Sequence, residues 1–276
     1  MTDSAQPLLS MRVSVRYQKG SCVIRDARLE IQQGEILGLV GQSGSGKSTL
    51  ALAILGLLDT KRAEITGSIE FCGTDSLRLR EREMRMIRGR TLGLVLQSPL
   101  TSLNPALKIR TQMREAWRAH ANGNSSDCET AVREAVRNVS LPDTDEFLKR
   151  CPSQLSVGQA QRVLIAMAVM HRPALLVADE ATSALDIITQ SEILALFARL
   201  NQGSQMSILY ISHDLPSVAS ICHRIAILHK GEIVECATTE KIFTDPQHPY
   251  TQQLIASLPD TPKLTSRSMS AKAAGP

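Results

Sequence analysis

Gly41-Gln-Ser-Gly-Ser-Gly-Lys47-Ser48 has the spacing of a loop that wraps phosphates. Its glycines let the backbone turn tightly enough to aim several N–H groups, and the start of the following helix, at negative charge. At that spacing Lys47 reaches the β- and γ-phosphates of a nucleotide and Ser48 offers a hydroxyl to Mg2+. A flexible glycine-rich surface turn would share the composition, but not the Lys-Ser pair set where a helix begins. A second chemical centre is Asp179-Glu180, two carboxylates released at the end of the apolar run Leu175-Leu-Val-Ala178. Open α/β sheets bind ligands at the carboxyl ends of their strands. There Asp179 suits a Mg2+ shell, and Glu180 suits a general base that orients and polarises water. Alone, such a pair suits a helix cap equally well.

Short runs rich in Val, Ile and Leu alternate with segments of helical period, the pattern of a mainly parallel sheet covered by helices, so the fold class is α/β. Met11 to Tyr17 and Val23 to Ile31 read as two strands of an antiparallel flank, with Gly20 and Ser21 as their turn. Glu35 to Val40 reads as the strand entering the glycine loop, and Leu50, Ile54 and Leu57 mark the helix leaving it. Between about 100 and 155 strand-like runs thin out. Helices are predicted around Ile109 to His120 and Glu129 to Val139, separated by a polar break at Asn122 to Asp127, and this region reads as an inserted helical lobe. Strands resume at Ala174 to Ala178, Ser207 to Ile211 and Ile225 to Leu228; Thr261 to Pro276, poor in large apolar residues, reads as disordered. The six arginines between Arg78 and Arg90, interleaved with Glu81 and Glu83, read as a solvated helix face.

The 276 residues, 43% of them apolar, suffice for one large domain or a domain with an inserted lobe. No run approaches the ~18 to 20 consecutive apolar residues that cross a bilayer, and the opening Met-Thr-Asp-Ser-Ala-Gln has neither a basic end nor a hydrophobic stretch. The chain is therefore expected to stay in the cytoplasm. Six scattered cysteines, with no Cys-x-x-Cys pair, point to reduced thiols rather than a disulfide frame or zinc site. A net charge of +4 and 3% aromatic residues argue against nucleic acid as a partner.

Further short segments complete a pattern. Gln97 follows the strand-like Thr91 to Leu96, Leu155-Ser-Val-Gly-Gln159 opens a helix, Ser183-Ala-Leu-Asp186 follows the carboxylates, and His213 ends the strand begun at Ser207. With the phosphate loop and Asp179-Glu180, this order resembles the nucleotide-binding subunits of ABC transporters from Tyr17 to about residue 258. The resemblance implies a phosphate-loop NTPase (RecA-like) core at 1–97 and 160–258, an antiparallel β flank, a helical subdomain at about 98–159, and a disordered tail at 259–276. It implies ATP and Mg2+ as cofactors. Tyr17 would stack on adenine, and Gly41, Ser43, Gly44, Gly46, Lys47, Ser48 and Thr49 would hold the phosphates. Ser48, Gln97 and Asp179 would serve the metal, and Glu180, His213 and Gln97 catalysis. Ser156, Gly158, Gln159 and Asp186 would act on ATP held by a second subunit, so that each nucleotide lies between two chains.

The resemblance also implies partners: a second ABC ATPase, related or identical, two integral membrane permeases, and indirectly an extracytoplasmic binding protein, with this chain on the cytoplasmic face of the inner membrane. Asp245-Pro-Gln-His-Pro-Tyr-Thr-Gln-Gln-Leu254 is similar to the ending of peptide and nickel importer ATPases. The absence of a cysteine cluster beyond it tilts the expectation toward nickel or a metal chelate over oligopeptides. Two departures stand out: Val157 occupies a position where the family has glycine, and Ala181 one where it has proline. A β-branched residue resists positive φ and adds bulk beside phosphate, so a weakened composite site is expected at this signature. Rival readings are a non-transport ABC ATPase working on nucleic acid or the ribosome, which would call for a long coiled coil or two ATPase halves, and a small-molecule kinase, which would leave Leu155 to Gln159 and His213 unexplained.

Overall fold

The computed structural model describes residues 6–18, 20 and 22–258. Strands β1 (Leu9–Tyr17) and β2 (Cys22–Ile31) pair antiparallel. Along β1 the side chains of Leu9, Met11, Val13 and Val15 go to the core and those of Arg12 and Arg16 to water, the period-2 pattern of a half-buried strand. Strand β3 (Ile36–Val40) is buried along its whole length and leads through the glycine loop into α1 (Lys47–Ile54). A strand not singled out from the sequence, β4 (Ala63–Phe71), lies on the other side of β1, and the two-residue β5 (Thr74–Asp75) closes an antiparallel sheet of order β2-β1-β4-β5.

Helix α2 (Glu81–Ile87) carries Arg82 and Arg85 of the arginine-rich stretch, with Arg80 and Arg88 at its two caps. Arg80 pairs with Glu83 in solvent, as a solvated face requires. Arg88 departs from that reading: it is largely buried, and its guanidinium donates to the carbonyls of Leu55 and Gly56 at 2.7 Å, satisfying the end of α1. Strand β6 (Leu92–Val95) precedes the helical lobe of α3 (Pro99–Ser102), α4 (Ile109–Arg118), α5 (Ser125–Asn138) and α6 (Asp145–Leu148). Helix α5 starts inside the predicted polar break. Asn124 accepts from the N–H groups of Ser126 and Asp127 while Asp127 accepts from Asn124 N–H, a capping box that turns polar residues into a helix start.

Helix α7 (Val157–Val169) packs on α3, α4 and α5 and also on β6, so a subdomain boundary at 159/160 cuts a continuous helix that serves both lobe and core. Then follow β7 (Leu175–Asp179), α8 (Ile187–Ser204), β8 (Ser207–Ser212), α9 (Leu215–Ile221) and β9 (Arg224–His229). A turn with positive φ at Lys230 and Gly231 returns the chain as β10 (Glu232–Thr238), also not anticipated; α10 (Thr239–Thr244) and α11 (Pro249–Ala256) close the described chain. The second sheet has the order β10-β9-β3-β8-β7-β6, parallel except for β10. Ser21 and the segment 259–276 lie outside the described residues.

Two cores sandwich this sheet. Ile36, Val40, Leu176, Ile208 and Tyr210 face the helical side, while Leu37, Leu39, Val177, Leu209 and Ile211 face α1 and the antiparallel sheet. Burying each Ile or Leu contributes about 1.5–3 kcal/mol. The central strands therefore cannot shift register without exchanging both faces, which fixes where their carboxyl ends emerge.

Candidate active site

Strands β3, β7 and β8 lie side by side and parallel, so the residues that follow them reach one edge of the sheet together. After β3 comes the phosphate loop. Gly46 adopts φ +109°, and a Cβ there would lie 2.5 Å from Ile24 Cδ1, so both backbone and neighbour demand glycine. Lys47, Ser48 and Thr49 form the first turn of α1, where N–H groups have no intrahelical acceptor. The Lys47 side chain is buried at 6% exposure; its ammonium donates to the carbonyls of Gly41 at 2.8 Å and Gln42 at 3.2 Å. Burial pulls its pKa down, and the nearby charges of Glu180 and Asp179 oppose that pull.

At the end of β7, Asp179 lies near the Ser48 hydroxyl, and its Oδ1 is buried without a partner. Burial pushes this carboxyl up, Glu180 pushes the same way, and Ser48 and Lys47 act against them. A buried carboxylate with an orphan oxygen beside a hydroxyl is a fit for a hard cation. Among the described residues no group of three or more His, Cys, Asp or Glu side chains gathers as a metal cage. Mg2+ matches that sparse donor set, since it keeps its waters and takes one or two protein ligands plus phosphate oxygens.

Glu180 holds φ +47°, an uncommon conformation for a residue with a side chain, fixed by its N–H on the Ile211 carbonyl at 2.9 Å and by Ser183, whose N–H and hydroxyl both donate to its carbonyl. Its Oε1 lies 4.0 Å from Lys47 Nζ and 3.3 Å from His213 Nδ1, and His213 directly follows β8. The fold thus brings Lys47, Ser48, Asp179, Glu180 and His213 together. Gln97 sits exposed in the bend after β6 and makes no hydrogen bond to them. Tyr17 is half-buried at the end of β1, packed with Val23 against the core under the antiparallel sheet.

Ser156, Gly158, Gln159 and Asp186 form a separate group. Ser156 and Gln159 cap the start of α7 reciprocally, each accepting the other's N–H at 3.2 Å. Asp186 caps α8 through the N–H groups of Ile188 and Thr189. The two helix starts touch, because a Cβ on Gly158 would lie 2.6 Å from Thr189 Cγ2. No hydrogen bond or ion pair among the described residues joins Ser156, Gly158 or Gln159 to Lys47, Ser48, Asp179, Glu180 or His213. Val157 is the first helical residue of α7 and has no positive φ. The expected backbone strain is therefore absent, and only the bulk of its exposed side chain remains. The buried pair Thr182 and Tyr210, hydroxyls 2.8 Å apart, ties the turn after Glu180 to the strand carrying His213. Sequence spacing gave no signal for a pair 28 positions apart.

The family model described as ABC transporter matches residues 24–183, from β2 past both carboxylates. The chain belongs to the ABC transporter family. As an ABC cassette its enzymatic activity is ATP hydrolysis. A second model, the C-terminal region of oligopeptide/dipeptide transporters, matches residues 234–274. The cassette is 42% identical over 238 residues to the dipeptide transport ATP-binding protein DppD of Haemophilus influenzae, covering 86% of this chain and 72% of that protein. It is 37% identical over 257 residues to the oligopeptide transport ATP-binding protein OppD of Lactococcus lactis subsp. cremoris, covering 93% and 75%. Among solved structures it is similar to a dimeric ATP-binding cassette in a post-hydrolysis state with ADP and phosphate, at TM-score 0.73 and 26% identity over 84% of this chain and 98% of that one. Among the described residues, no helix is long and apolar enough to cross a membrane.

Proposed function

We propose that this cassette hydrolyses MgATP as the motor subunit of a peptide importer, paired with a second cassette and docked on two membrane permeases at the cytoplasmic face of the inner membrane. The carrying observation is Glu180, held in a strained turn within 4.0 Å of Lys47 Nζ and 3.3 Å of His213 Nδ1. The phosphates lie along the first-turn N–H groups of α1, Lys47 exchanges its carbonyl partners for the terminal phosphates, and Tyr17 flanks the adenine. Mg2+ would supply charge neutralisation to the phosphates, and Ser48, Asp179 and Gln97 are the residues that would hold it. Glu180 takes a proton from the attacking water, and His213 steadies Glu180 and the γ-phosphate. The separation of Ser156, Gly158, Gln159 and Asp186 from this cluster supports a composite site, in which those groups serve the nucleotide of a related or identical partner.

The cargo class rests on the C-terminal match over 234–274 and on the names of the relatives, which are peptide systems. Those findings favour peptides over the nickel or metal chelate anticipated from the sequence. An extracytoplasmic binding protein and the permeases would choose the individual cargo. The test is Glu180→Gln in the assembled complex: the amide keeps the shape and loses the base, so turnover is expected to fall by about 10² or more while ATP binding persists. Wild-type turnover in that variant would defeat the assignment. Uptake of labelled dipeptide and of nickel by vesicles carrying the complex separates the two cargoes.

A further inference from the structure

Asp214 sits at the N-cap of α9, yet its carboxylate caps none of that helix's N–H groups. It is turned instead toward α8, where Gln190 donates from Nε2 to Asp214 Oδ2 at 3.2 Å and to Ser217 Oγ at 2.5 Å. The Ser217 hydroxyl in turn donates to Asp214 Oδ2, and Asp214 N–H donates to Ser212 Oγ at 3.0 Å, so the His213 turn is clamped from both sides. A side-chain clamp thus runs from Gln190, through Asp214, to the residue next to His213. A half-buried glutamine with two acceptors on another helix is an unusual use for the first turn of α8, whose neighbouring positions Ile187 and Ile188 are exposed.

We infer that Gln190 is a positioning residue for hydrolysis: through its side-chain bonds to Asp214 and Ser217 it holds His213 beside Glu180. This inference rests on the proposed ATPase reading. Removing the Gln190 amide frees the His213 turn to rotate without touching nucleotide, so chemistry suffers and ground-state binding does not. Loss of the Gln190 amide or of the Asp214 carboxylate breaks the same side-chain bond, so their effects overlap instead of adding.

The experiment measures ATP turnover and thermal midpoint of the assembled complex for Gln190→Leu, Asp214→Asn, Asp214→Leu and the Asp214→Leu/Gln190→Leu pair, with Glu180→Gln alongside. Gln190→Leu is expected to lower kcat about tenfold, leave KM for ATP within about twofold and leave the thermal midpoint in place. Asp214→Asn, which keeps an acceptor, retains most of the turnover that Asp214→Leu loses. The pair loses less than the product of the single losses. Wild-type kcat in Gln190→Leu, a loss confined to KM, a loss that tracks the thermal midpoint, or strict additivity overturns the inference. If Glu180→Gln itself turns over normally, the ATPase reading fails first; if Glu180→Gln is dead and Gln190→Leu is normal, only this inference falls.

Discussion

Lys47→Met separates a nucleotide-binding lysine from a merely structural one. In the free protein the Lys47 ammonium is largely desolvated but offset by two carbonyls and by Glu180 at 4.0 Å. Opposed contributions of this kind nearly cancel, and methionine refills the channel of the aliphatic stem, so the free protein should change by only about 1 kcal/mol in either direction. Nucleotide binding breaks the balance. A terminal phosphate about 4 Å from Nζ gains roughly 4 kcal/mol at an effective dielectric of about 20. The ammonium gives up two carbonyl bonds at about 1 kcal/mol each, leaving about 2 kcal/mol, or roughly a 30-fold rise in Kd. Titration of MgATP followed by the thermal midpoint reads both quantities. At 100 times the wild-type Kd, ligand stabilisation should drop from about 2.7 to about 0.9 kcal/mol. A Kd within threefold of wild type refutes the electrostatic reasoning, and a free protein destabilised by several kcal/mol makes Lys47 a fold residue.

Gly46→Ala forces a side chain into φ +109° with its Cβ 2.5 Å from Ile24 Cδ1; denaturant unfolding should show a loss of about 2–3 kcal/mol, and ATP affinity should fall with it. Val157→Gly removes bulk from the start of α7 and is expected to raise turnover of the assembled complex by about two- to tenfold, at up to about 1 kcal/mol of helix stability; an unchanged ATPase rate removes the idea of a weakened signature. Arg133 and Arg110, in that order, hold the Asp145 carboxyl at about 2, below its ordinary range. A lowered carboxyl stabilises above its unfolded pKa and loses that contribution as pH falls from about 4 toward 2, so Asp145→Asn should flatten acid unfolding in that window, read by circular dichroism against wild type.

What was legible in the sequence was local. The phosphate loop announces itself because strand, glycines and Lys-Ser lie within a dozen residues, and the same holds for Asp179-Glu180 after β7. Strand β4 was missed although Ala63, Ile65, Ile69 and Phe71 alternate, because Gly67 and Ser68 interrupt the rhythm where the strand lies across β1. Strand β10 was missed because none of its residues is fully buried and three are exposed, leaving little hydrophobic pattern to read. The start of α5 was hidden in a polar stretch that only the Asn124–Asp127 capping pair explains.

The site divides along the same line. Residue types could nominate Glu180 and His213, but not the geometry that makes them a pair: positive φ at Glu180 depends on the Ile211 carbonyl one strand away, and the His213 turn on Gln190 one helix away. Such contacts join positions 24 to 33 residues apart and have no period or spacing of their own. They arise because β7 and β8 are locked in register by opposite-facing cores, which fixes the heights at which their ends emerge. Chemistry is therefore written in short motifs, whereas the alignment of that chemistry is a property of the packed sheet. Substitutions in the motifs should abolish binding or the chemical step outright, and substitutions such as Tyr210→Phe, which strands the buried Thr182 hydroxyl at about 1–3 kcal/mol, should loosen the alignment and lower kcat before they lower affinity.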